Sequence, residues 1–135
     1  MSLSDVAAFQ ADVGLKADSY TGASNESAAI DTAGYHQALI VLNAGETATG
    51  GTADVTVEAA TTSSGSYTAI TGAAFTQITP DNDDAVYLGR INLDGTDRFL
   101  KVKAACHASN ASELSVSVIL TPYYTGDGAT FEFEV

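Results

Sequence analysis

The chain has 135 residues, 17 acidic against 5 basic side chains, a formal net charge of −12 and 45% hydrophobic content. That length suits one domain burying about two-thirds of its unfolded surface, while the charge argues against nucleic-acid binding, since a polyanion is repelled over most of such a surface. A single cysteine, Cys106, rules out an intramolecular disulfide framework, and no apolar run has the length of a membrane-crossing helix.

In chain order, residues 1–14 read as an N-terminal arm. Ser4 is placed to cap a short helical turn over Asp5–Phe9, too short to stand alone. Short strands are expected at Lys16–Tyr20 and Ser27–Asp31, around the turn Thr21-Gly22-Ala23. Ala38–Leu42 is a continuous apolar run, as in a central strand covered on both faces. Gly45–Gly51 reads as a Thr- and Gly-rich loop. In Asp54–Ala60, Val55, Val57 and Ala59 alternate with Asp54, Thr56 and Glu58. The turn Ser63-Ser64-Gly65-Ser66 leads to strands at Tyr67–Ile70 and Ala73–Ile78, and Asp81–Asp84 must be a solvated loop.

Ala85–Leu93 precedes the clearest pair of strands. In Arg98–Cys106, Leu100, Val102, Ala104 and Cys106 share a face opposite Lys101 and Lys103. In Leu114–Leu120, Leu114, Val116, Val118 and Leu120 oppose Ser115 and Ser117. The count is eight or nine strands. The fold class is all-β, an antiparallel β-sandwich of jelly-roll or Ig-like type, occupying 15–124. Residues 125–135 form a C-terminal strand in which Phe131, Phe133 and Val135 face one way. It either closes its own sheet or pairs with a neighbouring subunit's edge.

No constellation for catalysis emerges, and the protein is not expected to be an enzyme. His36 and His107 are far apart in sequence and neither follows a nucleophile elbow. Paired carboxylates exist, but Trp, a common sugar platform in glycosidases, is missing. Asp81, Asn82, Asp83 and Asp84 offer oxygen ligands without EF-hand spacing, so neither a metal nor another cofactor is expected. Cys106 reads as a buried inert thiol. Asn25-Glu26-Ser27 and Asn110-Ala111-Ser112 match the glycosylation pattern, but the N-terminus shows no secretion signal. Arg90, Arg98, Lys101 and Lys103 either line up as a basic stripe or neutralise neighbours such as Asp94 and Asp97.

Ala29-Ile30-Asp31-Thr32-Ala33-Gly34-Tyr35, followed by Ala38–Gly45, resembles the opening of small β-sandwich head decoration (capsid cement) proteins of tailed bacteriophages. Asp54–Ala60, Ser64–Ile70, Gly72–Ile78, Asp97–Ala104 and Leu114–Leu120 continue the resemblance in the same order. It spans roughly Ile30 to Tyr123 and rests on small-residue patterns. Ala59–Gly65 departs from the family's acidic turn, Phe99 stands where Tyr is usual, and Phe131–Val135 lies outside the pattern.

The resemblance implies a virion protein on the capsid exterior, made in the host bacterial cytoplasm. Such a protein binds the major capsid protein between capsomers, often as a homotrimer, without contacting nucleic acid or membrane. Candidate contacts are Phe9, Arg90, Arg98, Lys101, Lys103, Phe131, Phe133 and Val135. Alternatives are a carbohydrate- or receptor-binding virion module, using Tyr20, Tyr35, Tyr67, Tyr87, Tyr123 and Tyr124 for stacking, and a neck or tail subunit.

Overall fold

The computed structural model describes residues 9–122 and 131–135, so the helical turn expected before Phe9 lies almost wholly outside the described residues. The fold is all-β, with two sheets stacked face to face. Strands β1 (Gln10–Val13), β2 (Asp18–Tyr20), β3 (Asn25–Glu26) and β4 (Ile30–Asp31) are short edge pieces. The long strands are β5 (Gln37–Thr47), β6 (Ala53–Ala60), β7 (Thr68–Ala74), β8 (Ala85–Asn92), β9 (Phe99–Cys106) and β10 (Ser112–Thr121), and β11 is Phe133–Glu134.

Sheet A runs β1-β10-β5-β8-β11, with β2 also paired to β10. Sheet B runs β3-β9-β6-β7, with β4 also paired to β9. Every pair is antiparallel except β8–β11.

Among the described residues, eleven strands stand where eight or nine were expected. Of the long ones, β6, β9 and β10 obey period two and are readable in the sequence, whereas β7 joins in one strand what were expected as two, Tyr67–Ile70 and Ala73–Ile78. The surplus consists of pieces of two to four residues held by a neighbour's main chain, too short to carry a period. Three boundaries also move. The expected loop at Gly45 is still strand through Thr47. The expected strand Ala73–Ile78 ends at Ala74, after which Phe75 and Ile78 donate backbone hydrogen bonds to Val55 and Ala53. Within the expected arm, Gln10–Val13 pairs with β10.

The core is the space between the sheets. Ile40, Leu42, Val116, Val118 and Leu120 of sheet A and Val55, Val57, Leu100 and Val102 of sheet B are fully buried. Each such aliphatic side chain contributes about 1.5–3 kcal/mol on leaving water. Cys106 ends this face, and burial together with Asp54 pushes its thiol pKa up.

β11 closes one side of the sandwich. Its Phe133 ring lies over Gly89 of β8 and meets Phe75 edge-on at a centroid distance of 4.9 Å. A Cβ on Gly89 would fall 2.3 Å from the Phe133 ring, and one on Gly72 of β7 would fall 2.8 Å from Val135. Gly72 has φ +84°, a second reason for glycine there. The tail therefore closes the sheet of its own chain, one of the two arrangements expected for it. Phe133→Ala should cost about 3–5 kcal/mol, and Gly89→Ala about 1–3 kcal/mol by overpacking. Thermal or urea melts check both, and a Phe133→Ala midpoint equal to wild type would contradict this seat.

Candidate functional site

The two exposed sheet faces differ in chemistry. In sheet A the residues pointing away from the core form cross-strand rows. Val13, Ser117, Val41 and Leu88 make one row, Ala11, Ile119, Leu39 and Arg90 the next, and Ser115, Asn43 and Val86 a third. Val13 is 66% exposed and Val86 60%, whereas Leu39, Val41, Leu88 and Ile119 are half-buried. Most of these side chains are apolar, and such a face, with Val13 and Val86 exposed on it, is a candidate contact surface.

The outer face of sheet B is a charge lattice. Lys103 stands opposite Glu26 on β3 and Thr56 on β6, and Lys101 stands opposite Glu58. The Lys101 ammonium lies 3.9 Å from Glu26 and 4.5 Å from the centroid of the Tyr67 ring. Burial, with Glu26 alongside, raises the Glu58 pKa above the usual carboxylate value.

These placements sort the residues singled out in the sequence. Lys101 and Lys103 share the sheet B face, and Arg98 sits at its β9 end. Arg90 lies on the opposite sheet, so the four do not form one stripe. Arg90, Arg98 and Lys101 are paired, but not through the acids adjacent in sequence, and Lys103 stands across the strands from Glu26 and Thr56. Arg98 holds Asp31 with two bonds of 2.8 Å, and Arg90 pairs with Glu134 while covering the Phe131 ring. Phe133, expected as a contact, is 7% exposed and acts as a core plug, because the absent side chain of Gly89 leaves room for its ring. Val135 remains 38% exposed, and Phe9 is half-buried beside β1.

The outer face of sheet A was missed because Ala38–Leu42 reads as covered on both faces. Its signal was present: Leu39 and Val41, opposite the core residues Ile40 and Leu42, repeat the apolar character of Val13, Val86 and Ile119.

Polar groups in the loops serve the loops themselves. Asp83 accepts from the Thr47 amide and Asn82 from the Thr79 amide, while Tyr87 donates to the Asn82 carbonyl and Asp84 holds a left-handed φ of 51°. Among the described residues no three His, Cys, Asp or Glu side chains come close enough to hold a metal ion. His36 Nδ1 lies 2.8 Å from Asp94, and His107 Nδ1 accepts the Ser109 and Asn110 amides.

The tyrosines are scattered. The hydroxyls of Tyr20, Tyr35 and Tyr67 bond to Lys16, Gln10 and Ser63, and Tyr20, Tyr35 and Tyr87 pack on the core. Tyr123 and Tyr124 lie outside the described residues. Against known proteins, no family model matches the chain and no curated sequence aligns with it significantly.

The Arg98 guanidinium, with the Ala33 amide, lowers the Asp31 pKa from 3.8 to about 2. A carboxyl depressed on folding contributes stability that is fully present above 3.8 and is lost as pH falls towards about 2. Asp31→Asn should therefore flatten the decline of melting temperature across that window. Glu58 has the opposite sign: the folded state holds its proton more tightly, so rising pH removes stability. Glu58→Gln should therefore raise the melting temperature above wild type by more at pH 7 than at pH 4. Melts from pH 2 to pH 7 test both, and parallel wild-type and variant curves would refute the assignment.

Proposed function

We propose that the protein is a structural virion component that decorates and stabilises the outside of a tailed-phage capsid. In this reading it sits between capsomers as a homotrimer on the major capsid protein. The observation that carries it is the contrast between the two faces: apolar Val13, Leu39, Val41, Val86, Leu88 and Ile119 on sheet A, interleaved charges on sheet B. A cement subunit needs one face that leaves water against the shell and one that keeps finished particles apart. The apolar face meets the shell and the acidic remainder faces solvent.

The strand order supports a jelly-roll assignment. The order β2-β10-β5-β8 stacked on β3/β4-β9-β6-β7, antiparallel throughout, is the connectivity of two interlocked Greek keys, a layout common in viral capsid domains and in lectins. Fold alone does not assign function. The scattered tyrosines favour decoration over sugar binding, since no aromatic platform forms among the described residues. Each bound copy would lower the free energy of the mature shell alone, and many copies would spread that gain over the lattice.

Particles lacking the protein should keep their shape but lose heat and osmotic resistance, and cryo-electron density should show hundreds of copies outside the shell. Val13→Asp and Val86→Asp should reduce occupancy at least tenfold, equivalent to about 1.4 kcal/mol or more, without moving the melting temperature. Full occupancy with both changes would displace the apolar-face assignment. A handful of copies at one vertex would favour a neck or receptor role.

A further inference from the structure

The outer face of sheet A continues into a recess of about 370 Å³ whose lining includes Ala17, Ser19, Asn43, Gly45, Glu113 and Ser115. A bulge creates it. The β5–β10 register shifts between Leu114–Ala44 and Ser112–Thr47, so Gly45 and Glu46 together stand opposite Glu113. Glycine keeps the recess open, since a Cβ on Gly45 would fall 3.1 Å from both the Cβ and a carboxylate oxygen of Glu113. Ser115 and Asn43 share their row with Val86, so the recess opens directly onto the apolar rows.

Its polar side chains differ from those of the loops, which bond within their own loops. Among the described residues, the side chains of Asn43, Glu113 and Ser115 make no hydrogen bond, and Glu113 makes no ion pair. Lys16, at 3.6 Å, balances Asp18 at the rim. The other four cations are engaged elsewhere: Arg90 with Glu134, Arg98 with Asp31, Lys101 with Glu26, and Lys103 opposite Glu26. A cation for Glu113 must therefore come from another molecule.

A carboxylate, a carboxamide and hydroxyls, without three metal-ligating side chains brought together, suit a planar organic cation better than a metal ion. A guanidinium offers several N–H donors in one plane, sheds water more readily than an ammonium, and carries an aliphatic stem that packs on neighbours such as Val41 and Val86.

We propose that this recess receives an arginine side chain of the shell protein, as the one charged point in an otherwise apolar contact. Apolar rows tolerate sliding, whereas a guanidinium–carboxylate pair fixes register. Placing the arginine on the shell rests on the function proposed above.

The test has two arms. In the first, isotope-labelled protein is titrated by NMR with acetyl-arginine amide and, separately, with acetyl-citrulline amide, its uncharged near-isostere. Arginine should shift the Asn43, Gly45, Glu113 and Ser115 amides along a saturating curve. The Asp81–Asp84 loop, richer in acids but outside the recess, should stay still. Citrulline, or the exposed substitution Glu113→Gln, should weaken the response by about fivefold or more. Equal shifts with citrulline, an unaltered Glu113→Gln curve, or a response centred on Asp81–Asp84 would overturn the site. In the second arm, wild type and Glu113→Gln compete for isolated shells, and wild type should prevail by about fivefold or more. Equal loading of the two would overturn the arginine contact while leaving decoration intact. Failure of wild type to load would instead overturn decoration, and the titration would then decide the recess by itself.

Discussion

The placement of β5 between β10 and β8 organises the molecule. Its eleven residues pair with β10 along nearly the whole length and with β8 over Gln37–Ala44, so three strands share one register. A one-residue slip would turn Ile40 and Leu42 outward and bring Leu39 and Val41 in. Since both sets are aliphatic, hydrophobicity alone discriminates weakly. What fixes the choice is the opposing sheet, where Val55, Val57 and Val102 meet only one of the two faces. The outer face of sheet A keeps its apolar character because β5 is aliphatic on both sides.

Legibility in the sequence followed the length of the pattern. β6, β9 and β10 carry seven or more alternating positions, and their inward residues came out as read. β1, β3, β4 and β11 have two to four residues and take their strand geometry from β10, β9 and β8. Information about them is spread over partners as distant as Gln10 and Leu120. The acidic loop was recognisable from composition, though not its use of Asp83 to fix the Thr47 amide. Phe133 was visible as an aromatic on one face of the tail. Its destination depended on a glycine 44 positions earlier, and no local pattern links the two.

The few cations are placed where the chain needs joining. Arg98 ties β4 to the start of β9, Lys101 braces β3 across the same sheet, and Arg90 holds the tail against β8. Exposed pairs of this kind contribute little individually, because solvent screens them. Their value lies in position, since each clips a strand of two residues that lacks enough ladder hydrogen bonds of its own.

Matching Gln10 with Leu120 also governs how the chain reaches this state. The outermost ladder of sheet A cannot form until a loop spanning most of the sequence has closed, and such distant pairings place all-β domains among the slow folders. Strand edges stay open in the meantime and are liable to join across molecules. A surplus of twelve negative charges acts during this interval, when nascent copies repel one another before their edges are covered. The acidity thus safeguards the journey to the native state as well as the finished surface.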